Sequence, residues 1–180
     1  SENMPRLNDF DFVEKLNVRA LRDLVCADSR KRNIIKGWVL ERMVARALSR
    51  LGYKVSEIMT SRPQRVDVMG KDKKGNVVVV IECTNFGKDS NGTPYFYKGD
   101  RIRNYVEHFK RYPNALKFAI CSYKECLKEG ITELQQMDVT VIELGYDVMP
   151  RLYCSPDSRP LELSTYRDIK KKLFHSVPRN

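Results

Sequence analysis

The run Val77-Val-Val-Val-Ile-Glu-Cys-Thr84 constrains the fold more than any other stretch of the chain. Five consecutive β-branched residues without polar alternation predict a strand covered on both faces, as in a sheet packed between helices. The preceding run, Arg65-Val-Asp-Val-Met-Gly70, reads as its hairpin partner. The turn falls within Lys71 to Asn76, where Gly75-Asn76 can supply positive φ. Each strand carries one acid, Asp67 and Glu82, and an acid in such a setting costs free energy unless something compensates it. Pairing outward from the turn puts Asp67 opposite the region of Val80 to Glu82. Val80, Glu82 and Thr84 share a face. Two carboxylates so placed repel, and one holds a proton unless a cation lies between them. A hard divalent ion prefers oxygen ligands. It could polarise a phosphoryl oxygen and generate hydroxide from bound water. The alternative is that Asp67 ends its strand in water while Glu82 pairs with a nearby arginine.

A third acid lies upstream. Leu40, Met43/Val44, Ala47/Leu48 and Leu51 recur at helical spacing and predict a helix over 36–51, stopped by Gly52. Arg42, Arg46 and Arg50 form a basic stripe along it. Glu41 is its one acid, and it leans toward the apolar side. Taken singly, Glu41 could equally pair with the basic residues between Arg30 and Lys36.

The order of these pieces resembles the PD-(D/E)XK nuclease superfamily, especially the archaeal Holliday-junction resolvases and other restriction-endonuclease-like proteins. The matching pieces are Lys36-Gly-Trp-Val-Leu-Glu41, Arg65-Val-Asp67 and Val80-Ile-Glu82-Cys-Thr84. The resemblance covers about residues 30–145. It implies a restriction-endonuclease-like α/β core of order αβββαβαβ, with a central mixed β-sheet flanked by helices. It implies a metal-dependent endonuclease that hydrolyses phosphodiester bonds in DNA, structured or branched DNA included. Glu41, Asp67, Glu82 and the backbone carbonyl of Cys83 would hold Mg2+ or Mn2+. Two departures stand out. Val66 replaces a proline, and Thr84 occupies the position of the family's lysine. Thr84 supplies no positive charge, so Lys98, Arg101 or Lys88 is the candidate replacement cation. Lys98 has precedent in relatives that carry this lysine on the following helix. Asp67, Glu82, Thr84 and Lys98 are therefore the expected catalytic group. The missing lysine also motivates an alternative, a degenerate nuclease fold that binds nucleic acid without cutting. A homodimer would suit the resemblance.

The remaining chain fills in the same plan. An amphipathic segment is expected over about 9–26, and Tyr53 to Met59 reads as the first strand. Asn85 to Pro94 is rich in turn formers, a loop expected to move in the absence of ligand, and Tyr95-Phe96-Tyr97 closes it. These aromatics could stack on a base or pack at the sheet edge. Asp100 is the expected N-cap of a helix to Tyr112, with Ile102, Tyr105/Val106 and Phe109 buried. A strand over 117–122, a helix near 124–136 and a strand over 139–143 follow. A basic tail over about 160–180 includes a short helix at 165–175. All of this fits one domain of 180 residues.

Charge points to a polyanionic partner. Lysine and arginine total 33 against 23 acids, a formal net charge of +10. The candidate phosphate contacts are Arg30, Lys31, Arg32, Lys36, Arg42, Arg62, Arg65, Arg101 and Arg103. DNA is the expected partner, and RNA is not excluded. No apolar run is long enough to cross a membrane, and no signal-peptide pattern is present. The five cysteines form no Cys-x-x-Cys pair, so a disulfide framework, zinc ribbon or iron–sulfur cluster is not expected, and reduced thiols point to the cytoplasm. Two histidines, His108 and His175, give little support to histidine-based catalysis, and His108 reads as structural. Phosphate-cradling glycine loops and Gly-x-Ser-x-Gly elbows are absent.

Overall fold

A computed structural model describes residues 7–17, 21, 23, 26, 27, 29–55, 66–149 and 162–180. Its elements in chain order are α1 (Asp9–Leu16), α2 (Ser29–Arg50), β1 (Lys54–Val55), β2 (Val68–Lys71), β3 (Val77–Thr84), α3 (Gly99–Lys110), β4 (Leu116–Cys121), a 3-10 turn (Lys124–Leu127), α4 (Ile131–Gln136), β5 (Val139–Glu143) and α5 (Glu162–Ser176). From α2 to β5 the order is the expected αβββαβαβ. The five strands form one sheet in sequence order. β1, β2 and β3 pair antiparallel, whereas β3, β4 and β5 pair parallel, so the sheet is mixed.

The apolar run of β3 sits at the centre of this sheet and is covered on both faces, as its sequence requires. Val79, Ile81 and Cys83 face a core with Leu40, Met43, Val44 and Leu48 of α2. Val80 faces the other core, with Ile102, Tyr105 and Phe109 of α3. The period-2 alternation of a strand therefore sends Glu82 and Thr84 toward α3. The β2–β3 turn closes on Asp72, whose Oδ1 accepts from the Lys74 and Asn76 amides at 2.9 and 3.0 Å. Gly75 takes φ +88°, which a glycine adopts without strain.

Several boundaries differ from expectation for visible reasons. The first amphipathic segment is cut at Asn17, which turns left-handed at φ 53° and caps α1. Leu21, Asp23, Cys26 and Ala27 are helical again beyond it. The first strand is seen at Lys54–Val55, and 56–65 lie outside the described residues. Helix α3 starts two residues early, with Lys98 rather than Asp100 at the N-cap. The Gly99 amide is satisfied from elsewhere, donating to Glu129 Oε1 at 3.2 Å. The expected helix over 124–136 splits at Gly130, which packs so closely on α3 that a Cβ there would stand 1.9 Å from Ile102 Cγ2.

The basic tail is a core element. α5 buries Tyr166, Ile169 and Leu173 against the α2 side of the sheet. Lys170 pairs with Asp9 and Lys172 with Asp168, so part of its charge serves local ion pairs. The arginine stripe of α2 is similarly divided. Arg46 is only 1 % exposed, donates to the Leu7 carbonyl and stacks over Phe12. Arg42 lies over the Trp38 ring at 5.7 Å, and Arg50 is exposed. Cys83, Cys121 and Cys126 are free, buried thiols. Cys26, by contrast, is disulfide-bonded, a departure from the all-reduced chain its cysteine spacing suggested. Among the described residues no helix is long and apolar enough to cross a membrane.

Candidate functional site

The antiparallel register decides where the acids meet. Val68 pairs with Ile81, so the chain enters β2 with Asp67 beside Glu82. The Asp67 Oδ2 then accepts the Cys83 amide at 2.7 Å. Helix α2 lies across this end of the sheet and brings Glu41 onto the same carboxyl. Asp67 shares hydrogen bonds with both Glu41 and Glu82. Three acids separated by up to 41 positions in sequence thus form one connected group around Asp67.

Burial governs their protonation. Glu82 is 1 % exposed, and desolvation, then the charges of Asp67 and Glu41, push its pKa well up. Desolvation followed by Asp67 lifts Glu41 to about 8. Asp67 keeps some surface at the solvent, but its carboxyl is enclosed by protein, and burial raises it too. The Cys83 amide and the hydrogen bonds from Glu82 and Glu41 pull it back down. Asp67 is therefore the acceptor of the group, and the two glutamic acids are its donors at neutral pH.

Two side chains of α3 complete the group. His108 places Nδ1 3.2 Å from Glu82 Oε1, and its charge is felt by Asp67. Tyr105 sets its hydroxyl 2.7 Å from Thr84 Oγ1 and 3.3 Å from the Cys83 carbonyl oxygen. It also hydrogen-bonds the Tyr97 hydroxyl. The sequence marked Tyr105 only as apolar packing and His108 as structural. Their signal lay in polar atoms recurring on the buried stripe of an otherwise charged helix, one turn apart and on the side that faces Glu82.

The expected residues divide as follows. Glu41, Asp67, Glu82, Cys83 and Thr84 come together. Lys98 lies exposed at the start of α3, two helical turns from Tyr105, and among the described residues no hydrogen bond or ion pair links it to the acids. Lys36 is no surface phosphate contact. It is 4 % exposed and its Nζ is 2.6 Å from Asp147 Oδ2, an ion pair that ties α2 to the segment after β5. Arg101 and Arg103 are exposed on α3, as phosphate contacts must be. Arg62 and Arg65, and the side chains of Arg30, Lys31 and Arg32, lie outside the described residues.

The donor set is all oxygen: three carboxyls and the Cys83 carbonyl, which suits a hard divalent cation. The fit is one of donor chemistry. Among the described residues no three His, Cys, Asp or Glu side chains are arranged to hold a metal ion. Comparison with protein-family models, with curated proteins and with solved structures gives no match.

Proposed function

We propose that this chain is a divalent-cation-dependent endonuclease with a restriction-endonuclease-like core, acting on phosphodiester bonds in DNA. The observation that carries this reading is the convergence on Asp67 of two glutamic acids, the half-buried Glu41 of α2 and the buried Glu82 of β3. Buried acids without compensating cations are costly, and such perturbed groups cluster where chemistry is done. The chain's net charge of +10 supplies the complementary attraction for a polyanion.

Glu41, Asp67, Glu82 and the Cys83 carbonyl would hold the cation. A divalent ion there supplies Lewis-acid polarisation of a phosphoryl oxygen and lowers the pKa of water. The protein's own groups orient this set. The Cys83 amide fixes Asp67, and His108 fixes Glu82. Thr84 and Tyr105 act as positioning residues, their hydroxyls steadying the Cys83 carbonyl where the resembled family places a lysine. The exposed Arg101 and Arg103 grip the flanking phosphates.

The same hydroxyls favour a second reading. Neither Thr84 nor Tyr105 provides an ammonium at that position, and a site without one would bind nucleic acid and leave it intact. Incubating labelled duplex, single-stranded and four-way DNA with Mg2+ or Mn2+ separates the two. Cutting that is lost in Asp67→Ala and in Glu82→Ala supports the enzyme. Binding without cutting in any divalent ion refutes it in favour of the second reading.

A further inference from the structure

One surface beside the acid group has no role in holding a cation. It is built by the segment between β3 and α3, the start of α3 and the 3-10 turn. Tyr95 is 58 % exposed and Phe96 is 40 % exposed, unusual for large aromatics with a core at hand. Both are held in place by backbone. The Tyr95 amide donates to the Gly87 carbonyl at 3.0 Å, and the Tyr97 amide to the Cys126 carbonyl at 3.0 Å. A turn on Asp89, whose Oδ1 accepts the Asn91 and Thr93 amides, braces the loop between them. The exposed rings are thus displayed from a fixed backbone.

Cations surround the rings. Lys128 Nζ stands 3.9 Å from the Phe96 ring centroid, and Lys88 Nζ stands 4.6 Å from that of Tyr123. Arg101 lies 5.9 Å from the centroid of Tyr97. Lys98 and Lys124 are exposed on the same segments. The patch is also continuous with the acid group. Tyr97 contacts Phe86 at 4.5 Å and Tyr105 at 5.7 Å between centroids, and the Tyr105 hydroxyl reaches Thr84 and the Cys83 carbonyl. One layer of aromatic rings separates the exposed surface from the carboxyls.

We propose that this patch is a binding platform for unpaired nucleic-acid strand, with bases stacking on Tyr95 and Phe96 and phosphates held by Lys88, Lys98 and Lys128. Aromatic faces accept any unstacked base, whereas the bases of an intact duplex are stacked on one another and unavailable. Cations interleaved with rings match the alternation of phosphate and base along a single strand. The proposal rests on the nuclease reading for its place beside the acids. It makes that reading specific: the substrate is DNA that presents an unpaired segment, such as a junction, flap or bubble.

The test is made in EDTA, so that it does not depend on cutting. Binding of fluorescein-labelled oligo(dT) and of a duplex of the same length is followed by anisotropy with the full chain. The expected result is tighter binding of the single strand. Loss of both stacking faces is expected to weaken it at least tenfold in the Tyr95→Ala/Phe96→Ala double variant, while duplex binding is unchanged. Phe96→Trp should keep the affinity, and its emission should be quenched as oligo(dT) saturates the protein. Unchanged affinity in the double variant, Trp emission indifferent to oligo(dT), or equal loss for duplex and single strand would each overturn the platform. Cutting that fails while the stacking signature persists would sink the nuclease reading alone.

Discussion

Replacing Glu41 with glutamine should stabilise the cation-free protein, and the gain should grow with pH. Glu41 titrates at about 8 in the fold against 4.5 for an ordinary glutamic acid, because it is desolvated and lies against Asp67. Below pH 4.5 folded and unfolded chains both carry the proton, and its contribution to stability is intact. Between 4.5 and about 8 only the folded chain retains it, so each rise in pH lowers stability. Above 8 the loss is complete. Each tenfold change in proton affinity is about 1.4 kcal/mol, which sets a ceiling of about 5 kcal/mol. Glu41 keeps part of its surface in solvent, and screening reduces the expected figure to about 2–3 kcal/mol. A glutamine is neutral at every pH, and its amide can donate to Asp67 as the protonated acid does. Urea denaturation of both proteins in EDTA, at pH 5, 6.5 and 8, measures the difference. Glu41→Gln should come out ahead by about 2–3 kcal/mol at pH 8 and nearly level at pH 5. In a thermal scan that gain is about 4–12 °C for a chain of this size. A variant less stable than the parent at pH 8, or one whose advantage ignores pH, would falsify the buried-acid account. Added Mg2+ should then stabilise the parent and leave Glu41→Gln unmoved.

Two other perturbations test the supports of the site. Tyr105→Phe removes the hydroxyl shared by Thr84 and the Cys83 carbonyl. It should cost about 1 kcal/mol of stability and lower kcat for cutting about tenfold with KM unchanged, as expected of a residue that positions the Cys83 carbonyl and does not touch substrate. A fall confined to KM would assign Tyr105 to substrate binding instead. Lys36→Met leaves Asp147 buried without its partner and should cost about 3–5 kcal/mol in urea denaturation. Lys36→Met/Asp147→Leu should recover most of that loss. A single variant within about 1 kcal/mol of the parent would show that water, and not Lys36, satisfies Asp147.

Legibility in the sequence followed the length scale of the forces involved. β3 was readable because five β-branched residues have one stable setting, between two apolar layers, and that setting fixes which way Glu82 points. The Asp67–Glu82 encounter followed from hairpin register, a local property. Glu41 needed more, since only packing of α2 across the sheet brings it to Asp67. The resemblance, not periodicity, supplied that step. What failed were details decided by distant partners. Asp100 lost the cap of α3 because Glu129 serves the Gly99 amide from another segment. Lys36 is hidden because Asp147, 111 residues away, holds it. The tail reads as basic by composition, yet Tyr166, Ile169 and Leu173 at helical spacing were there to mark a buried face. Tyr105 and His108 escaped because an amphipathic pattern says which face is inside and says nothing of what a buried polar atom will touch.

The protonation of the acids also decides how a polyanion can approach them at all. Three ionised carboxylates would place about three negative charges under the basic surface and repel phosphate at short range. With Glu41 and Glu82 holding protons, the three carboxyls together carry about one negative charge, on Asp67, shielded by the Cys83 amide and by His108. A divalent cation displacing both protons would leave nearly the same net charge, so DNA should approach equally well in either state. Removing an acid that is already neutral should therefore change binding little. Glu82→Gln is expected to alter DNA affinity in EDTA at pH 7 by less than about threefold while abolishing cutting. An affinity that rises tenfold or more instead would mean that Glu82 is ionised in the fold, because only a lost negative charge returns that much attraction at such a site.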